Sequence, residues 1–373
     1  MVEILNVDLL ILGAGPTGCA AAIRAAGSGL SVALIEKAKF PRDLPGEALH
    51  PDVGHLFTEL GVAGAVSNAG FIRNPGWILE RQILQNSVER SFVPFMGPSG
   101  LRMGYQAWRS TLDSLLLDHA RRKGVTVVQP ARGAELFLEG DRVAGLEVEG
   151  QLWRCRHLVD ASGSSRWLSR QLRLPVKDFS PNLVARYAYF DGKCDLGIIP
   201  EFREHASGWT WLARVRKDRC QCVQLGLSAD PVPAPPAPFD TPSPTVRFRG
   251  ADVTWRFVPE CAGADYYLCG DAAAVLDPAA SSGVERALTS GLKAADLIVQ
   301  VTVNGMDPLA AAASYRQWCA EQFVERARQL AARYADLQEP PSWLRSLEPK
   351  FADLEKMLSN PLANDARSAI TSF

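Results

Sequence analysis

The chain has 373 residues, 47% hydrophobic and 22% charged, which is enough apolar material for a large core and rules out a mainly disordered chain. With 40 Lys and Arg against 41 Asp and Glu the formal net charge is -1, so no global field draws in nucleic acid or anionic lipid. No apolar run approaches the ~20 residues of a transmembrane helix, and the N-terminus lacks the basic flank and cleavage site of a signal peptide.

The first element reads as a strand, Asp8 to Leu12, then a glycine-rich turn, Gly13 to Gly18, then a helix from Cys19 to Ala26. Ser31 to Ile35 is a second strand, and Glu36 ends it. This βαβ unit implies a right-handed parallel crossover. Gly13-Ala14-Gly15-Pro16-Thr17-Gly18 is G-x-G-x-x-G placed between a strand and a helix, the context that gives the motif its weight. Gly13 permits the tight turn, Gly15 lets the backbone approach a pyrophosphate, and Gly18 lets helix and sheet pack closely. The phosphates are expected on the helix N-terminus, where free N–H groups and the dipole favour negative charge. Glu36 stands where a carboxylate can accept both ribose hydroxyls, which points to FAD or NAD rather than NADP.

Further along, Ile78 to Pro94 and Asn182 to Val258 alternate in the manner of antiparallel strands. Between them, Arg109 to Lys123 reads as a helix leading into the strand Val125 to Val128. His157 to Asp160 reads as a short strand ending in Asp160-Ala161-Ser162-Gly163. Cys220 and Cys222, two apart on a strand, would face one side as small buried residues. All eight scattered cysteines read as free thiols of a cytoplasmic protein. Pro231 to Pro244 reads as an extended surface connection, and Gly283 to Val303 and Leu309 to Leu337 as long helices. The expected fold class is α/β. Residues 1–75, 100–170 and 260–305 would form a discontinuous Rossmann-like nucleotide-binding domain. Residues 76–99 and 171–259 would form an inserted antiparallel β-rich substrate domain, and 306–373 a C-terminal helical segment.

Gly270-Asp271-Ala272-Ala273, added to these motifs, resembles the FAD-dependent monooxygenases of the p-hydroxybenzoate hydroxylase fold. Within them the chain is similar to the branch that holds the flavin-dependent halogenases and geranylgeranyl reductases, and the resemblance covers most of its length. It implies that Asp271 bonds a ribitol hydroxyl of FAD. It also implies that Pro278 to Val284 turns a helix N-terminus toward the flavin, where it stabilises negative charge on the reduced ring. Arg109 matches the Arg that reaches the pyrophosphate, Asp160 to Gly163 a turn near the cofactor, and Gly46-Glu47 a step that lines the flavin. The residues implied to touch FAD are Gly13, Gly15, Pro16, Thr17, Gly18, Glu36, Lys37, Glu47, Ala48, Arg109, Gly270, Asp271, Pro278, Ser282, Gly283 and Val284. Glu47 and His50 are the candidates for acid–base work. No metal is expected, because no His residues cluster at ligand spacing.

Gly208-Trp209-Thr210-Trp211 falls where halogenases carry W-x-W-x-I-P, but Ala213-Arg214 stand in place of the last two residues. Gly70 to Gly76 matches G-F-x-x-K-x-G, in which the Lys captures hypohalous acid. Here that position is Asn74, whose amide cannot form a chloramine, and the permanently protonated Arg73 does not replace it. Halogenation is therefore not expected. The stretch from Gly270 to Gly291 looks most like the maturation flavoproteins that hydroxylate a tryptophan of a partner polypeptide on the way to cysteine tryptophylquinone. The activity this implies is ring hydroxylation through a flavin C4a-hydroperoxide, with a quinoprotein precursor as protein substrate and an external flavin reductant. The alternative is a small-molecule FAD enzyme: an aromatic hydroxylase, a halogenase or an isoprenoid reductase.

Overall fold

The computed structural model describes residues 3–42, 47–84, 87–192, 196–228, 233–239 and 247–359. The first elements are β1 (Glu3–Leu12), α1 (Pro16–Gly27), β2 (Val32–Ile35), β3 (Glu47–Leu49), β4 (Ile72–Asn74), β5 (Gly76–Leu84) and β6 (Gly104–Ala107). They are followed by α2 (Arg109–Arg122), β7 (Gln151–Asp160), β8 (Glu201–His205), β9 (Gly208–Arg216), β10 (Tyr266–Leu268), α3 (Gly283–Asn304) and α4 (Pro308–Ala335).

β1 lies at the centre of a seven-stranded sheet. It pairs in parallel with β2 on one edge and β7 on the other, and Leu9, Leu10 and Ile11 are fully buried. A strand covered on both faces reads as a continuous apolar run, as LLIL does here. Thr126–Val128 extends the sheet in parallel beyond β2, and β10 pairs in parallel with the end of β7. The hairpin of Glu135–Glu139 and Arg142–Val148 closes the other side. β7 starts six residues earlier than the strand read at His157, because Gln151 to Cys155 pair with Glu3 to Val7.

α1 and α3 pack together on this sheet at Gly291, where a Cβ would stand 2.3 Å from the carbonyl oxygen of Thr17. That contact sets the first turn of α1 against the third turn of α3.

A second seven-stranded sheet runs in the order Arg249–Asp252, Val184–Asp191, Arg219–Gly226, β9, β8, β5, Ser87–Pro94. It is antiparallel except that β8 runs parallel to β5, a pairing that joins segments more than 100 residues apart. A three-stranded sheet, β3-β6-β4, sits between the two large ones and carries the chain from β2 toward α2.

Cys220 and Cys222 are both buried in one apolar cluster. The expectation of free thiols fails at Cys220, which is disulfide-bonded, because pairing depends on proximity in space that spacing does not show. Cys19, Cys155, Cys222, Cys261, Cys269 and Cys319 are free, and Cys194 lies outside the described residues. Of the proline-rich connection only 233–239 is described, and Phe239 is buried in that same cluster, so the connection is not wholly a surface one. No helix among the described residues is long and apolar enough to cross a membrane.

Candidate active site

The glycines of the turn have different causes. Gly13 has φ +105, and a Cβ there would lie 2.4 Å from the carbonyl oxygen of Ala161. A Cβ on Gly18 would lie 1.9 Å from the carbonyl oxygen of Gly13. Both are demanded by the fold. A Cβ on Gly15 would meet only Nη2 of Arg42, at 3.3 Å. Gly15 therefore answers to whatever occupies the space before the turn, which lies at the N-terminus of α1. Pro16 opens that helix and no acid stands in its first turn. An anion is favoured there.

Glu36 is 2% exposed. Its Oε2 accepts from the N–H of Ala14 at 2.8 Å, and its Oε1 from the N–H of Ala38 at 2.8 Å. It ties the end of β2 to the glycine turn. Arg42, which sequence reasoning missed, lies across this region. Its Nη1 is 3.5 Å from Glu36 and its Nη2 is 3.2 Å from the fully buried Asp113, with the guanidinium over the ring of Phe40. Arg109 reaches the same Asp113 through two bonds of 2.8 and 3.1 Å. Two guanidiniums and two carboxylates thus neutralise one another beside Gly15. Lys37 is exposed at the end of β2.

Thr17 joins the turn to the other motif: a Cβ on Gly270 would lie 2.5 Å from its Oγ1. Gly270 has φ +62, and its N–H donates to Oγ of Ser290 at 2.9 Å. Asp271 follows, half exposed and bonded to Arg286 at 2.8 Å. Asp160 is fully buried, and its carboxylate accepts from the N–H groups of Ser162 and Leu168 at 2.9 and 2.8 Å. It shapes the turn whose Ala161 presses on Gly13. Burial raises its pKa, opposed by those bonds.

At the other end of the site, Asp277 caps a short turn, Pro278–Ala280, that leads into α3. Pro278 is exposed, Ser282 and Val284 are buried, and nothing lies within 4 Å of a Cβ on the exposed Gly283. The Oγ of Ser282 has no partner among the described residues. Gly46 lies outside the described residues, so the step expected to line the flavin is seen only from Glu47 onward, where the backbone of β3 pairs Glu47 with Ala107 and Ala48 with Gln106. His50 has its Nδ1 2.9 Å from Asp52 and its ring edge-on to Phe95. A cleft of about 510 Å³ runs from His50 past Ala279 to Ser282 and is walled by Arg326, Gln329 and Arg333 of α4.

Asn74 is 2% exposed. Its Nδ2 donates to the carbonyl of Gly76 at 2.9 Å, and its Oδ1 accepts from Nε2 of Gln106 at 3.3 Å. Arg73 donates to the carbonyls of Gly104 and Met103 and covers the ring of Tyr105, so its guanidinium is committed elsewhere.

Over 355 residues the chain is 30% identical to a 1H-pyrrole-2-carbonyl-[peptidyl-carrier protein] brominase of Pseudoalteromonas luteoviolacea, covering 85% of this chain and 83% of that one. The chain belongs to the FAD-dependent oxidoreductases, in the branch of the flavin-dependent halogenases. Residues 8–169 match the family described as FAD dependent oxidoreductase. The chain is 27% identical to a tryptophan 2-halogenase of Chondromyces crocatus, covering 88% of this chain and 68% of that one. Among solved structures, the flavin-dependent brominase Bmp2 shares the fold with a TM-score of 0.73 at 24% identity, over 98% of this chain and 92% of that one. A peptidyl tryptophan dihydroxylase essential for tryptophylquinone cofactor biogenesis shares it with a TM-score of 0.70 at 22% identity, over 92% and 79%.

This oxidoreductase is an enzyme that uses FAD. The residues present fit that cofactor. The space before Gly15 is one that a side chain would fill, and the bare N-terminus of α1 opens onto it.

Proposed function

We propose that this FAD-dependent oxidoreductase hydroxylates an electron-rich aromatic ring on a small molecule, free or tethered to a carrier protein, and does not halogenate it. The observation that carries the reading is Asn74. The position that the resemblance gives to a lysine is a buried amide held at both ends, and β3, β4, β6 and β9 carry no lysine that could stand in for it. The relatives at 30% and 27% identity, a carrier-protein brominase and a tryptophan halogenase, favour a small aromatic substrate over the peptidyl tryptophan first expected. That first reading keeps the support of the dihydroxylase structure alone.

Once bound and reduced by an external donor, FAD would supply the two electrons that activate dioxygen, one oxygen atom going to the ring and the other leaving as water. The chain's own residues hold and orient it. The N-terminus of α1, Arg42 and Arg109 would meet the pyrophosphate, Asp271 would accept from the ribitol, and the N-terminus of α3 would favour negative charge on the ring.

The test supplies the enzyme with FAD, a flavin reductase, NADH, dioxygen and bromide. Free indoles and phenols, aromatic acyl carrier proteins and an unmodified quinoprotein precursor are offered in parallel. Mass spectrometry is expected to show one added oxygen on a free or carrier-borne ring. Bromination would overturn the argument from Asn74, and oxygen added to the precursor alone would restore the peptidyl-tryptophan reading.

A further inference from the structure

Arg286 is the fourth residue of α3, where the helix dipole and free N–H groups disfavour a cation, and it is buried, which adds a desolvation cost. Its Nε and Nη1 have no partner among the described residues. Among the described residues its charge is balanced by Asp271, to whose Oδ1 Nη2 donates at 2.8 Å. The two side chains differ in exposure, 9% for Arg286 against 48% for Asp271. The guanidinium stays inside while the carboxylate is presented outward, one residue after a glycine pressed against Thr17 of the phosphate-binding helix.

We propose that Arg286 is the positioning residue of Asp271. It fixes the direction of the carboxylate toward the ribitol of FAD and cancels a negative charge that would otherwise face the pyrophosphate. The inference rests on the reading of Asp271 as an FAD contact. A carboxylate on a three-residue turn is otherwise free to rotate, and ordering it in advance removes that entropy from the binding step. The pair is also asymmetric. Without Arg286, Asp271 is a carboxylate that water already reaches. Without Asp271, Arg286 is a buried cation with no carboxylate among the described residues to balance it.

The test measures FAD release from the loaded full-length enzyme on dilution for the wild type, R286M, R286K, D271N and the R286M/D271N double variant. Thermal midpoints are taken with FAD in excess. R286M and D271N are each expected to weaken FAD binding about tenfold or more, the range of a hydrogen bond to a charged group. The double variant is expected to be no weaker than the weaker single one, and R286K to recover part of the loss. D271N is expected to lower the thermal midpoint more than R286M does. Unchanged affinity in R286M beside a weakened D271N would overturn the positioning role and leave the contact of Asp271 standing. Unchanged affinity in D271N would overturn the contact and the proposal with it. Losses that add in the double variant would show two independent roles and overturn it too. Where R286M does not fold, R286K decides: an ammonium cannot make the same directed contact, and wild-type affinity in that variant would overturn the proposal.

Discussion

The indole N–H of Trp209 donates to the hydroxyl of Tyr334 at 3.0 Å. Trp209 lies on β9 in the second large sheet, and Tyr334 lies in the last turn of α4. The hydroxyl in turn donates to Oδ1 of Asp277 at 2.7 Å, and Oδ2 of that carboxylate accepts the indole N–H of Trp255 at 2.7 Å. All four residues are buried. Trp209 belongs to the pair that resembles the halogenase motif, and through Tyr334 it connects the second sheet to the residue just before the stretch expected to turn toward the flavin. Burial raises the pKa of Asp277, while Tyr334, Trp255 and the N–H of Ala279 oppose it as donors.

Tyr334→Phe removes one hydroxyl that serves both neighbours. Trp209 is left with a buried donor and no acceptor, and Asp277 loses one of its donors. A buried group left unsatisfied costs about 1–3 kcal/mol. Denaturant unfolding of the variant is expected to show a loss in that range, with weaker retention of FAD because Asp277 caps the turn before α3. An unchanged unfolding midpoint would mean that water or a shifted side chain completes the network.

Two glycines three residues apart should fail in different ways. Gly15→Val puts a branched side chain against the end of the Arg42 side chain, which can shift, so the protein is expected to fold and to purify without FAD. Gly18→Val drives a Cβ to 1.9 Å from the carbonyl of Gly13, a contact that only backbone movement relieves. That variant is expected to lose the fold itself. Circular dichroism and flavin absorbance separate the outcomes, and a Gly15→Val protein that keeps full flavin would displace the phosphate site.

The glycine turn was legible in the sequence because its requirements are local. Gly18 must clear the backbone of Gly13 five residues before it and Glu36 follows the next strand, whereas the carbonyl of Ala161 that Gly13 must clear is distant in the chain and was not legible. Asp271 was legible only through resemblance, since an acid after a glycine is common in turns. Arg42 was not, because nothing in Phe40-Pro41-Arg42 says that the side chain reaches Asp113, 71 residues on. Tyr334 and Trp209 are 125 residues apart, and Arg286 reads from the sequence as one more helix arginine. The parallel pairing of β8 with β5 was hidden for the same reason: alternation marks strands and leaves their partners open.

His157 provides a test at the level of pH. It is buried on β7, its Nδ1 has no partner among the described residues, and its pKa is lowered to about 4. Burial is the main cause, followed by Arg156 and Arg142, against an opposing effect of Asp8. An unfolded histidine titrates near 6.5, so between pH 6.5 and 4 the unfolded chain binds a proton that the native chain refuses. Stability is fully present above pH 6.5 and falls on acidification, by about 2 kcal/mol at pH 5 from this group. His157→Gln is expected to flatten that slope. The comparison must be with the wild type, because Asp160 and Asp277 have raised pKa values and act in the opposite sense. Parallel slopes for the two proteins would remove His157 from the account.

Asn74→Lys tests whether one amine separates this chain from its halogenating relatives. In β4 the amide donates to the carbonyl of Gly76 and accepts from Gln106, whose own Oε1 has no partner among the described residues. A lysine can donate to the carbonyl of Gly76 and to that Oε1, but it offers no acceptor to Nε2 of Gln106. It also buries an ammonium, which depresses its pKa. The variant is therefore expected to fold with a loss of about 1–3 kcal/mol, the cost of a buried group left unsatisfied. It would present a partly neutral amine at the position where hypohalous acid would be captured. No brominated product is expected even so, because halide binding and a protected path from flavin to amine are separate requirements, and Ala213-Arg214 already depart from the halogenase pattern. The assay is mass spectrometry of an indole and phenol panel with reduced FAD, dioxygen and bromide, run on wild type and variant together. Brominated product from the wild type would sink the reading of Asn74. Product from the variant alone would show that the rest of the halogenating machinery is present and that the amine was the missing part.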